Sequence, residues 1–93
     1  MDRNGEFCAG FKDGALEAKY VCSEFEFKTT IPLRGHPRNV ALYNLAERIV
    51  DKNIPFCGPL PKIVDIGPGY EVLSSDQYRL LFRSAAAIHR VSR

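Results

Sequence analysis

Two residues, Asp13-Gly14, constrain this chain more than any others. The pair is a strong signal for a type I′ β-hairpin, because both central residues of that turn take positive φ. On one side of it, Glu6 to Lys12 alternates, with Phe7, Ala9 and Phe11 in phase. Pairing across a two-residue turn then sets Phe11 opposite Leu16, Ala9 opposite Ala18 and Phe7 opposite Tyr20, all on one face of the pleat. Taken alone, Ala15-Leu16-Glu17-Ala18-Lys19 favours helix. Turn chemistry and facing together decide for a strand, so a sheet with one apolar face is the foundation.

A third extended run, Glu24 to Ile31, places Phe25, Phe27, Thr29 and Ile31 on one side and Glu24, Glu26, Lys28 and Thr30 on the other. Its apolar phase is odd-numbered, whereas Leu16, Ala18 and Tyr20 are even. The chain must therefore shift by one near Cys22-Ser23, through a bulge or a tight turn. Pro32 to Pro37 reads as a connector. Asn39 to Lys52 has the spacing of a helix, with Leu42, Leu45, Ala46, Ile49 and Val50 as its apolar stripe. Pro37 suits the opening turn, and Asn53 suits a left-handed residue after the last turn, with Ile54-Pro55 as the stop. Pro55, Gly58, Pro59 and Pro61 then impose a loop.

Lys62 to Ile66 and Tyr70 to Leu73 read as two short strands joined by a type II turn at Gly67-Pro68-Gly69. The final helix, within Ser74 to Arg93, opens with a capping box of Ser74 and Gln77, and Leu73 is placed to staple onto Tyr78. Tyr78, Leu81, Phe82, Ala85, Ile88 and His89 share one face of it. Arg79, Arg83 and Arg90 fall within roughly 40° of one another on the opposite side. Leu80, Ala87 and Val91 form a second apolar strip beside the arginines.

These elements define an α+β fold, one domain over residues 1–93. A small antiparallel β-sheet, made of the N-terminal meander and the second hairpin, carries two α-helices packed on one face. The expected core is Phe7, Phe11, Leu16, Tyr20, Phe25, Phe27, Leu42, Leu45, Ile49, Val64, Ile66, Leu81, Phe82 and Ile88.

Val64-Asp65-Ile66-Gly67-Pro68-Gly69 resembles the glycine-rich first motif of S-adenosylmethionine-dependent methyltransferases, in which an acid at a strand end precedes a Gly-x-Gly turn beneath the cofactor. The likeness covers these six residues. Glu71 stands where that family usually has a further glycine, and no acid follows near the end of a second strand for the ribose hydroxyls. The Pro-Gly turn of a hairpin accounts for the same residues, so no cofactor is expected.

Cys8, Cys22 and Cys57 form no CxxC pair, and their spacing suits neither a disulfide scaffold nor a metal site. Free thiols are the expectation. His36 and His89 lie at no telling distance from any cysteine, and nucleophile-elbow and phosphate-loop signatures are absent. No catalytic or metal-ligating residue is assigned.

The formal net charge is +2, but its distribution says more than the total. Acids (Asp2, Glu6, Asp13, Glu17, Glu24, Glu26) crowd residues 1–33, whereas residues 77–93 carry Arg79, Arg83, Arg90 and Arg93 without an acid. No apolar run approaches the ~20 residues of a membrane span, and Met1 to Gly5 lack the apolar segment of a secretory signal, so a cytoplasmic protein is expected. A helix apolar on two sides must be covered on both. Arginine is enriched in interfaces and lysine depleted. The sequence therefore points to a small non-enzymatic protein-interaction module (a regulator, adaptor or inhibitor, as phages and mobile elements encode) that binds a protein partner or itself as a homodimer. Its surface is Arg79, Leu80, Arg83, Ala87, Arg90 and Val91. A nucleic-acid-binding module using the same arginines is the alternative, against which the near-neutral charge and acidic strands count.

Overall fold

A computed structural model of the chain describes residues 5–24, 26–54 and 61–91. Phe25 and Cys57 lie outside the described residues. The elements run β1 (Glu6–Lys12), β2 (Ala15–Val21), β3 (Glu26–Pro32), α1 (Arg38–Asp51), β4 (Lys62–Ile63), β5 (Glu71–Val72) and α2 (Ser75–Val91). The class is α+β, with two helices on a mixed five-stranded sheet.

The hairpin forms around Asp13 (φ 53°) and Gly14 (φ 74°), both left-handed as a type I′ turn requires. Its register pairs Phe11 with Leu16, Ala9 with Ala18 and Phe7 with Tyr20, as the alternation implies. β3 then pairs antiparallel with β2, Val21 facing Glu26 and Tyr20 facing Phe27. The phase shift near Cys22-Ser23 is thus made by the turn and not by a bulge. An even number of residues, 22–25, separates paired partners, so even positions on β2 meet odd ones on β3.

β3 is an edge strand. The Leu33 amide donates to the Gly14 carbonyl at 2.9 Å, which fixes the phase of the ladder and turns the even-numbered peptide groups of β3 outward. Pro32 sits at one such outward position, where a missing N–H costs no ladder bond. Arg48 of α1 reaches over the same edge and donates to the Thr29 hydroxyl and the Thr30 carbonyl. A second tight turn follows: Arg34 and Gly35 both have positive φ, and the His36 amide closes on the Leu33 carbonyl at 2.9 Å.

α1 starts at Arg38, with Pro37 as N-cap in extended conformation. Its end is a Schellman motif: Asn53 is left-handed (φ 58°), its amide donates to the Val50 carbonyl, and the Ile54 amide donates to that of Ile49, both at 3.0 Å. At α2 the capping box is present in full. The Gln77 amide donates to Ser74 Oγ at 3.1 Å, and the Ser74 amide donates to Gln77 Oε1 at 2.8 Å.

The segment 61–73 differs from the expected second hairpin. β4 pairs parallel with β1 (Glu6 with Lys62, Phe7 with Ile63), and β5 pairs antiparallel with β1 (Gly10 with Val72, Phe11 with Glu71). Both short strands therefore lie along the same edge of β1 and not against each other. The reason is that β2 satisfies only one edge of β1. The other edge takes the Lys62 amide on the Gly5 carbonyl and the Val64 amide on the Phe7 carbonyl, both at 2.9 Å. Residues 64–70 form a strap between them, turning at Pro68-Gly69 with Gly69 at φ 87°. A strap this close needs a strand without a side chain beneath it. A Cβ on Gly10 would lie 3.1 Å from Tyr70 Cβ and 3.2 Å from Ile66 Cγ2.

One buried cluster joins Phe7, Ala9, Phe11, Leu16, Ala18, Tyr20 and Ile31 of the sheet to Ala41, Leu42, Leu45, Ala46, Ile49, Leu81 and Ala85 of the helices. α2 lies over β1, with the Phe7 ring edge-on to Tyr78 and Phe82 at centroid distances of 6.3 and 6.4 Å. Phe27, Phe82 and Ile88 pack on the margin of this cluster. Val64 and Ile66 are half-buried in the strap and stand outside it.

Candidate functional site

The capping box fixes where α2 begins, and so which way each of its side chains points. Leu81 and Ala85 are buried. Opposite them, Arg79, Arg83 and Arg90 are exposed, as their spacing implies. They are not equivalent. Arg79 is held by Asp76 at 2.8 Å, one turn back, whereas Arg83 and Arg90 have no ion-pair partner among the described residues.

The second apolar strip divides in the same way. Leu80 is half-buried and packs against the domain's own core, so the expectation that it lies free beside the arginines is corrected for this residue. Ala87 is exposed, and Val91 is 84% exposed. These two meet Ser84 and Ile88 of α2 and Tyr43 of α1 around a shallow apolar groove of about 300 Å³ between the helices. Tyr43 is 49% exposed, a large aromatic area to leave in water.

The α1 side of this groove is not evident from α2 alone. Tyr43 stands outside the stripe of Leu42, Leu45, Ala46 and Ile49, and an aromatic residue off the buried stripe is the signal that finds it. Beyond Tyr43, at one-turn steps, α1 carries Glu47 and Asp51, both exposed. Its two bases make contacts of their own, although Arg48 shares a shallow hollow with Asn44, Glu47 and Asp51. Arg38 lies over the Phe11 ring and pairs with Glu71, and Arg48 is bonded over the β3 edge. The outer surface of the helical layer is therefore acidic along α1, apolar along the groove and basic along α2.

The helix-free face of the sheet holds the other polar groups. A hollow of about 380 Å³ is lined by Glu6, Cys8, Lys19, Val21, Val64, Asp65 and Ile66. Burial pushes the Cys8 thiol up, Lys19 pulls it down, and Asp65 and Glu6 add to the rise. A thiol held in its protonated form is a poor nucleophile. Around it the charges answer one another: Lys19 pairs with Glu26 at 3.8 Å, the Tyr70 hydroxyl donates to Glu17 at 2.6 Å, and Lys12 lies 4.9 Å from the Tyr70 ring centre. Asp65 Oδ1 accepts the Gly67 amide at 3.2 Å, a local turn contact. Gly67-Pro68-Gly69 leads from β4 back to β1 through β5, and not from a strand directly into a helix as in the methyltransferase motif.

His36 is exposed in the turn before α1, and His89 is half-buried on α2. Among the described residues, no three His, Cys, Asp or Glu side chains gather as a metal site. No described helix is long and apolar enough to cross a membrane. Compared with known proteins, the chain has no significant match to a family model, a curated protein or a solved structure.

Proposed function

We propose that this chain is a small, non-enzymatic, cytoplasmic interaction module, of the regulator, adaptor or inhibitor kind. It acts by setting the outer surface of its helical layer against a protein. The observation that carries this reading is the groove where Tyr43 and Val91 stand exposed beside Arg83 and Arg90. Aromatic and arginine side chains are enriched in the buried centres of interfaces, where they contribute more than their area suggests. A solvated helix face has no need of Tyr43 and Val91 together at a concave site.

Nucleic acid would use the same helix differently. It would call on Arg79, Arg83 and Arg90 as phosphate contacts, and Asp76 already holds the first of these. The apolar groove would add nothing to it.

A photo-crosslinking residue placed at Val91, and separately at Lys28 on the opposite face, tests the proposal in the source cell. Discrete protein adducts from position 91 and none from position 28 are expected. Adducts to nucleic acid at 91, or equal labelling from both positions, would overturn it.

A further inference from the structure

We infer that the protein bound at the helical layer is a second copy of this chain, its helices set face to face with those of the first across a two-fold axis running along the groove. This rests on the interaction reading above and names its partner. A two-fold interface uses the same patch twice, so the patch must complement itself. A surface of one sign repels its own copy. This one carries both signs in separate rows.

Glu47 and Asp51 stand on the outer side of α1, and Arg83 and Arg90 on the outer side of α2, with Tyr43, Ala87 and Val91 between them. Rotation about an axis along the groove brings α1 of one copy over α2 of the other. The acidic row of each copy then meets the basic row of the other, two such contacts in all, and the two grooves close on one another. Several groups that would blur the two rows are already engaged: Arg38 pairs with Glu71, Arg48 donates to Thr29, and Asp76 pairs with Arg79 one turn along α2.

The available area sets the strength. Helices of 14 and 17 residues are about 21 and 25 Å long, and two such helices side by side present on the order of 450 Å² per copy. That is roughly half of the ~800 Å² per partner of a stable complex. The dimer is therefore weak and concentration-dependent, and its ionic rows make it sensitive to salt.

Sedimentation velocity on the purified chain, from about 10 µM to 1 mM at low and high salt, tests this directly. Wild type is expected to shift from one to two copies as concentration rises, and to shift less in high salt. Glu47→Arg puts a base into the acidic row and Arg83→Glu puts an acid into the basic row, so each variant sets like charges against each other in its own dimer. Each alone is expected to weaken association about tenfold or more. An equimolar mixture of the two is expected to form a 1:1 pair more tightly than either variant associates with itself. Both positions are exposed, and an unchanged thermal midpoint for each variant separates lost association from lost folding.

Wild type that stays monomeric at 1 mM in low salt, or variants that associate as wild type does, would overturn the dimer. The crosslinker at Val91 then decides the wider reading. Adducts to a different protein sink the second copy and keep the interaction module, whereas no protein adduct at all sinks both.

Discussion

The two faces of the sheet are covered by different means. On one, Phe7, Phe11, Leu16 and Tyr20 are buried beneath two helices whose ends are set by a Schellman motif and a capping box. On the other, Cys8 and Gly10 are covered by a seven-residue strap that holds to β1 through two residues at each end. A helix covers a sheet with large side chains from both partners, so its apolar area is written into the sequence as periodicity. A strap covers a strand only where the strand withdraws its own side chains. Its mark is therefore something missing, a glycine and a small thiol in the middle of an apolar strand.

Removing a large side chain from the helix-covered face should do the most damage. Phe7→Ala empties a fully buried site between Tyr78 and Phe82 and should cost about 3–5 kcal/mol in a urea titration. A loss below about 1 kcal/mol would mean that the helices do not define the main core. The strap-covered face should fail by crowding. Gly10→Val pushes a branched side chain against Tyr70, Ile66 and the Glu71 carbonyl, and should cost about 1–3 kcal/mol. It should also expose Cys8, so that alkylation at pH 8 becomes faster than in wild type. Destabilisation without faster alkylation would separate the strap from the protection of Cys8.

Ser74→Ala tests the joint between strap and helix. It removes the hydroxyl that accepts the Gln77 amide and should cost about 1 kcal/mol. The smallest expected effect is alkaline. Burial raises Cys8 on one face and Tyr20 on the other, so in each case the unfolded chain releases its proton at lower pH than the folded one. The contribution of these groups to stability is full below the unfolded values and falls as pH rises through them, above about pH 8.5 for the thiol and about pH 10 for the phenol. Urea midpoints across pH 8 to 10.5 should fall, and in a Cys8→Ala variant the decline should begin later.

Where the sequence is legible, the determining chemistry is local. Asp13-Gly14 dictates both a turn and a register, Ser74 and Gln77 specify each other three residues apart, and Asn53 closes a helix within two hydrogen bonds. Lys62-Ile63 is different. Its partners are Glu6 and Phe7, more than fifty positions away, and nothing within the short run tells a strand that pairs with its neighbour from one that pairs with β1. Gly67-Pro68-Gly69 turns the chain as its composition implies, but a turn does not require that its flanks pair. The candidate site divides along the same line. Arg83, Ala87, Arg90 and Val91 follow from the period of one helix. Tyr43 and Glu47 join them only because α1 packs beside α2, and Leu80 leaves them because it packs on the buried cluster, a contact that the period of one helix does not reveal.

The placing of β4 and β5 on one edge of β1 has a consequence in time. Alternation along an antiparallel ladder directs the even-numbered amides of β1 towards β2 and the odd-numbered ones towards the strap. The hairpin side has seven paired positions behind it, whereas the strap side has two at each end. Hydrogen exchange should therefore alternate residue by residue within one strand. Cys8 and Gly10 should exchange only when the whole sheet opens. Phe11, facing β5, should exchange whenever the strap lifts, on the faster scale of local opening. A single strand would then report two different motions of the same molecule.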